Sequence, residues 1–174
     1  VRSLLDRFQI DEKQSAYMGN NARKIFDVLK PMHNLDNKFR SLLVISSKLH
    51  SIGSTLNFYK SNDNAFDFIL NGLNYDFLHT SRVAVAHTIK FSKKALPTRN
   101  DILKYEDLLP SLGVMQWMSF MISLNIAINQ DLSRPKVEYE LQNNIFRIIL
   151  SNNSFLIVSN IEKLESPENL IVEL

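Results

Sequence analysis

Several residue types that carry chemistry or special backbone geometry are scarce in this sequence of 174 residues. There is no cysteine, which excludes disulfides, thiolate nucleophiles and cysteine-ligated zinc, and favours a reducing compartment. Only four glycines occur, so a glycine-rich phosphate loop and an all-β architecture are both disfavoured. The first residues carry charges throughout and lack the apolar stretch of a signal peptide. The sequence starts without methionine, and we expect a piece of a longer protein.

Long hydrophobic runs are also missing. The longest uncharged stretch, residues 108–130, is interrupted by Pro110, Gly113 and polar residues spaced three or four apart. This spacing predicts a central core helix and not a membrane span. We therefore expect a cytoplasmic protein that makes no membrane contact.

Charge is unevenly distributed along the chain, although the net charge is only +2. Residues 82–104 carry six basic groups against the single acidic Asp101, whereas residues 131–174 are net acidic. A basic middle predicts an anionic ligand in that region. The alternative is a solvated helix end, because lysines near a helix carboxyl terminus oppose its macrodipole favourably.

The spacing of apolar residues predicts helices up to about residue 134. Capping residues and breakers set the predicted helix bounds: Asp11 to Pro31, Leu35 to a cap at Gly53, Ser61 to Gly72, Thr80 to Ile89, Asn100 or Asp101 to Leu108, and Pro110 onward.

The pattern changes to period two beyond residue 134. Residues 136–141 alternate, Asn143-Asn144 is a turn signal, and residues 145–150 can return antiparallel. The segment from Phe155 to Leu164 fits either a strand or a helix, and a last strand is predicted near the end, at residues 170–174. We predict a mainly α fold: a helical bundle over residues 1–134, and packed on it a small α+β subdomain over residues 135–174 with a short antiparallel sheet.

The four histidines do not have the paired spacing of a zinc hydrolase. We expect His33 to be a surface cap at a helix end, His79 to precede an N-cap, and His87 to be a hydrogen-bonded core residue. A nucleophile elbow and a Walker-type loop are absent as well.

His50 lies in a segment, residues 41–53, that resembles the LLxxAAxLHDIG helix of HD-superfamily proteins. Residues 61–71 are similar to the motif HxxHSxYLIxN, residues 86–97 to VRYHRKALP, and residues 122–129 to LRLADALD. Together with the opening helix at residues 11–29, these segments follow the order found in the carboxyl-terminal domain of the exopolyphosphatase/guanosine pentaphosphate phosphohydrolase (Ppx/GppA) family. The resemblance spans nearly the whole chain and implies an HD-domain-like bundle with a closing strand subdomain.

The metal ligands of that family are largely replaced in this chain. His50 is the one ligand position retained, and the others hold Gln14, Ser51, Asn64, Ser92 and Ile126. One imidazole among neutral neighbours leaves the charge of a divalent ion uncompensated. We therefore expect His50 to be vestigial, and this chain to hold no catalytic residue, metal or other cofactor.

The resemblance implies a two-part enzyme. Its amino-terminal half, similar to actin-like ATPases, hydrolyses polyphosphate or guanosine pentaphosphate with magnesium, and its carboxyl-terminal half lengthens the polyphosphate channel and helps to form a dimer. The expected partners are inorganic polyphosphate, the chain's own amino-terminal ATPase-fold domains and a second copy. Because spaced cations bind a linear polyanion by charge and counterion release, we assign as candidate anion-binding residues Lys60, Lys90, Lys93, Lys94 and Arg99.

Two alternative functions stay open. An autonomous HD-type phosphohydrolase with unusual ligands would require tightly bound divalent metal. A helical module that binds nucleic acid or another anion would use the basic run, but only Phe91 is interleaved with it and the single tryptophan, Trp117, lies in the apolar helix. Base stacking is therefore poorly provided for, and nucleic acid is disfavoured as a partner.

Overall fold

The computed structural model describes residues 1–55, 58–73, 78–151 and 154–174, and helices dominate them. The α-helices are α1 Arg2–Arg7, α2 Glu12–His33, α3 Asn37–Leu49, α4 Ser61–Gly72, α5 His79–Lys90, α6 Arg99–Ile102, α7 Leu112–Ile128 and α8 Phe155–Ile161. Short 3-10 helices lie at His50–Thr55, Phe58–Lys60 and Leu103–Tyr105. The strands are β1 Val137–Gln142, β2 Ile145–Leu150 and β3 Ile171–Glu173. The predicted fold class, mainly α with a small strand-containing subdomain, is confirmed.

Helix α2 is the longest element and begins at the predicted N-cap. The Gln14 N–H donates to Asp11 Oδ1 at 2.6 Å, which satisfies one free donor of the first turn. The sequence predicts a stop at Pro31, and this prediction is wrong because the helix runs to His33. Pro31 lies in the last turn, where its missing N–H removes a single hydrogen bond of the helix, and Asn34 then ends the helix in the left-handed conformation.

Gly53 is not the helix cap that the sequence predicts. It lies within the 3-10 helix His50–Thr55, and its φ is not positive. A Cβ atom at this position would lie 1.8 Å from the Ser61 carbonyl oxygen and 2.6 Å from Ala65 N. Glycine is therefore required because the 3-10 helix packs directly on the backbone of α4.

Two predicted N-caps are also displaced. Helix α5 begins at His79, and α6 begins after Thr98, which forms a capping box with Asp101. Asp101 therefore serves in the first turn of α6 and not as its cap, because Thr98, three residues earlier, is the N-cap.

Helix α7 is the central core helix that the sequence predicts. Trp117, Met121 and Leu124 are among its buried residues, and polar side chains at Ser119, Ser123 and Asn125 are buried with them. Within the described ranges, none of the helices combines the length and the apolar character needed to cross a membrane.

The three strands form one sheet in the order β1-β2-β3. Strands β1 and β2 make the predicted antiparallel hairpin, with Asn143 at φ 58° in its turn. The ambiguous segment is helix α8. Because α8 carries the chain back across the sheet, β3 pairs with β2 in parallel, which the antiparallel prediction did not include.

The strand subdomain shares its core with the bundle. Phe146, Ile157 and Leu170 belong to the same hydrophobic cluster as Phe26 and Trp117. The Tyr17 hydroxyl also donates to the Pro135 carbonyl at 2.7 Å, which ties α2 to the segment that leads into β1.

Candidate anion-binding site

The end of helix α5 presents two of the predicted basic residues on a tight turn. Phe91 caps the helix, the Ser92 hydroxyl donates to the Ile89 carbonyl at 2.6 Å, and the Lys93 N–H donates to the Phe91 carbonyl at 2.7 Å. The Asn62 side chain of α4 donates to the Ser92 carbonyl at 3.1 Å and holds the turn in place. As a result, Lys93 and Lys94 are both exposed beside α7.

These two lysines lie at the edge of an open pocket of about 130 Å³, which we name the Lys93–Lys94 pocket. Its other walls come from the turn after α5, from α7 and the residues just after it, and from the α8 region: Ser92, Ser123, Ile126, Ala127, Gln130, Asn160 and Leu164. The Ser123 hydroxyl is buried and has no hydrogen-bond partner among the described residues. Two exposed ammonium groups, with the amides of Gln130 and Asn160 in the same lining, are suited to one oxyanion group.

Acidic groups near this pocket reduce its positive potential. The Thr98 N–H and hydroxyl, each 2.7 Å from Asp101 Oδ2, hold the pKa of Asp101 below its ordinary value, and Lys93 acts in the same direction. Glu165 accepts from the Leu96 N–H at 2.8 Å, and its own N–H donates to the Lys94 carbonyl. Both carboxylates have other bonds, so neither is tied to a lysine ammonium.

The other predicted anion-binding residues lie elsewhere. Lys90 Nζ is 3.9 Å from Asp63 Oδ1 and 4.4 Å above the Phe66 ring, so it contacts α4. Arg99 lies 3.7 Å from Glu106 Oε1, and Lys60 is exposed at the start of α4. The structure brings only Lys93 and Lys94 of the five candidates into a shared pocket.

Ser92 and Ile126, which the sequence resemblance aligns with two metal ligands of the Ppx/GppA family, line the Lys93–Lys94 pocket. His50 is partly buried at the end of α3, where its Nδ1–H donates to the Ser47 carbonyl at 2.8 Å. Burial lowers the pKa of His50, and the bond to Ser47 acts against that shift. Asn64 donates to the Gly53 carbonyl at 3.3 Å. Across the four described ranges, no three histidine, aspartate or glutamate side chains are placed to hold a metal ion.

Two further histidines are structural. His87 is buried, with Nδ1 donating to the Val83 carbonyl at 2.8 Å, which confirms the core prediction. His33 is also buried, so its predicted place on the surface is wrong. Its Nε2–H donates to the Phe26 carbonyl at 3.0 Å and its Nδ1 accepts from the Leu35 N–H at 2.9 Å. Because both ring nitrogens have backbone partners, the ring can be buried without a free polar atom.

The sequence analysis missed a second concentration of basic side chains. An open cleft between α2, α3 and residues 134–137, which we name the basic cleft, is lined by Arg23, Lys24, Arg40, Arg134 and Lys136. A local signal for part of it exists in the pair Arg23-Lys24 and in the flanking of Pro135 by Arg134 and Lys136. Nothing in the sequence shows that these two segments meet.

No protein-family model matches this chain, and no curated protein matches it either. The functional argument therefore depends on the residues and their placement.

Proposed function

We propose that this chain is a noncatalytic, HD-like helical domain of the Ppx/GppA type that binds inorganic polyphosphate and takes part in a homodimer in the cytoplasm. The observation that carries the proposal is the Lys93–Lys94 pocket. There, Ser92 and Ile126, which the resemblance aligns with metal ligands of the family, line the same pocket as two exposed ammonium groups. Replacement of the ligands by neutral side chains beside lysines favours binding of an oxyanion over binding of a metal cation.

The proposal assigns phosphoanhydride hydrolysis, with magnesium, to an actin-like ATPase-fold half outside this chain. Neutral side chains at Gln14, Ser51, Asn64, Ser92 and Ile126 offer no carboxylate or imidazole to a divalent ion. Nucleic acid is a poorer fit to the basic run because Phe91, its one aromatic residue, is buried against Ile102 and Met115. A buried ring offers no face on which a base can stack.

Exposed apolar side chains support the dimer. In the strand subdomain, Phe155 is 87% exposed and Ile171 is 50% exposed. A contiguous patch of such side chains is typical of a surface that another chain covers, so Phe155 and Ile171 are the residues to test for a dimer interface.

Calorimetric titration with long-chain polyphosphate, at low and at moderate salt, tests the anion site. We expect saturable binding that weakens with salt and falls in a Lys93→Ala/Lys94→Ala variant. The matched control, Lys13→Ala/Lys38→Ala, removes two exposed lysines that do not line the pocket. Equal losses in both variants, or no binding at low salt, would remove the site assignment. Sedimentation over a range of concentrations tests the dimer, and a Phe155→Ser variant should self-associate less than the unmodified chain.

A further inference from the structure

The basic cleft has a volume of about 580 Å³ and gathers cations from three parts of the chain. Arg23 and Lys24 come from α2, Arg40 comes from α3, and Arg134 and Lys136 flank Pro135 before β1. This is more positive charge than lines the Lys93–Lys94 pocket, where two lysines are the only cations among the described lining residues.

Most of this charge is not neutralised within the cleft. The one acidic side chain among its described lining residues, Asp27, accepts from Arg40 Nε and Nη2, both at 2.7 Å. The bidentate bond to Arg40 holds the pKa of Asp27 below its ordinary value, so Asp27 and Arg40 form a closed pair. Near the rim, Glu138 lies 3.5 Å from Lys136, but both groups are exposed and such a pair is weak.

The segment that carries Arg134 is held in an unusual conformation. Leu132 and Arg134 have φ values of 59° and 53°, which side-chain-bearing residues rarely adopt. Asn129 Oδ1 accepts from the Arg134 N–H at 2.9 Å, and the Tyr17 hydroxyl donates to the Pro135 carbonyl at 2.7 Å. Burial, with a contribution from the charge of Asp131, raises the pKa of Tyr17 to about 12, so this hydroxyl adds no negative charge. The fold therefore holds Arg134 in the same cleft as Arg23 and Lys24.

We propose that the basic cleft is a binding site for a chain of linked phosphate groups, separate from the Lys93–Lys94 pocket. Guanidinium groups bind phosphate oxygens in a planar, bidentate manner, and cations on several sides of a cleft suit an anion with many charged oxygens. A single carboxylate would engage only one of these groups. Inorganic polyphosphate and the phosphates of a nucleotide share this chemistry. The proposal depends on the cleft alone and stands whether or not the proposed function is correct.

Titration of the 174-residue chain with inorganic tripolyphosphate, at low and moderate salt, tests the proposal. We expect saturable binding that weakens roughly tenfold or more in an Arg23→Gln/Arg134→Gln variant, because each guanidinium supplies charge-assisted hydrogen bonds. The Lys13→Ala/Lys38→Ala control should keep its affinity within about threefold, since these lysines contribute only to the net charge. A Lys93→Ala/Lys94→Ala variant should also keep tripolyphosphate binding.

A second variant, Lys24→Glu/Lys136→Glu, reverses charge at two exposed positions. Because it leaves Arg134 in place, a folding defect caused by replacing Arg134 cannot explain its result. Circular dichroism should show unchanged helix content, and binding at the basic cleft should be lost, leaving only what the Lys93–Lys94 pocket binds. Guanosine triphosphate binding as tightly as tripolyphosphate would show that the phosphates alone are recognised, and tighter binding would show that the nucleoside contributes; both outcomes support the site. Guanosine binding without phosphates, equal losses in the control, or loss only on Lys93/Lys94 replacement would overturn it.

Discussion

The two sides of helix α7 both bury polar side chains, with different results. On the side facing α2, Asn125 accepts from Asn21 at 2.9 Å and donates to the Met18 carbonyl at 2.9 Å. The Tyr139 hydroxyl of β1 then donates to Asn21 Oδ1 at 2.8 Å. On the side facing the Lys93–Lys94 pocket, the Ser123 hydroxyl has no partner within the described ranges. The first side is a closed structural network, and the second leaves a buried hydroxyl without a hydrogen-bond partner among the described residues.

The largest loss of stability should follow from removing Asn125 from its network with Asn21 and the Met18 carbonyl. Replacement of Asn125 by leucine keeps a similar shape but leaves the Asn21 amide and the Met18 carbonyl without their partner. We expect a loss of about 3 kcal/mol in the free energy of unfolding, since two buried polar groups lose hydrogen bonds. Urea unfolding followed by circular dichroism measures it. A loss below about 1 kcal/mol would mean that the hydrogen bonds of Asn125 to Asn21 and Met18 do not stabilise the fold as described.

Removal of the Tyr139 hydroxyl tests the outer end of the same network. A Tyr139→Phe variant keeps the ring stacked on Phe146 but removes one donor to Asn21. We expect a loss of about 1 kcal/mol, less than for Asn125→Leu, because Asn21 keeps its bond to Asn125. A loss that equals the Asn125→Leu loss would show that Asn21 cannot hold its place without the tyrosine.

Acid should destabilise the fold through His33, a further buried polar side chain whose ring nitrogens both have hydrogen-bond partners. Burial lowers the pKa of His33 below 6.5, its ordinary value. The unfolded chain therefore binds more protons in mild acid, so stability is retained above about pH 6.5 and falls as pH drops through the folded-state pKa. His50 and His87 shift in the same direction for the same reason.

Thermal unfolding between roughly pH 8 and pH 5 measures this dependence. A His33→Gln variant should show a shallower fall in stability with pH than the unmodified chain. Identical profiles for the two proteins would mean that His33 does not contribute to the acid sensitivity.

The smallest effect is expected at Ser123. Because its hydroxyl has no partner among the described residues, a Ser123→Ala variant should change stability by no more than about 0.5 kcal/mol, with a slight gain the favoured direction. A stability loss above about 1 kcal/mol would contradict the contrast between the two sides of α7.

Much of the fold follows from local patterns in the sequence. The Asp11 cap, the apolar spacing of α7, the alternation of β1 and the turn signal before β2 each depend on neighbours in the chain, and these predictions hold. The errors arise where tertiary contacts decide. His33 is buried because Phe26 and Leu35 supply backbone partners, and Gly53 is required by the approach of α4. Neither condition can be inferred from the adjacent residues alone.

The candidate sites show the same division. The basic run of residues 82–104 is dense in sequence, but Lys90 contacts α4 and Arg99 lies beside Glu106, so only Lys93 and Lys94 stay together. The basic cleft is the reverse case, because Arg23 and Arg134 are far apart in sequence and meet only through the docking of residues 134–137 on α2.

The network of Asn21, Asn125 and Tyr139 also bears on how the chain reaches a single native state. Its members are separated by 104 and 118 positions, so it closes only when α2, α7 and the hairpin have all docked. Any compact state with the hairpin in a shifted register would bury these polar atoms without partners and lie higher in free energy. The network thus widens the free-energy gap between the native arrangement and competing compact states. As a result, the sheet docks on a mainly apolar core in a single register.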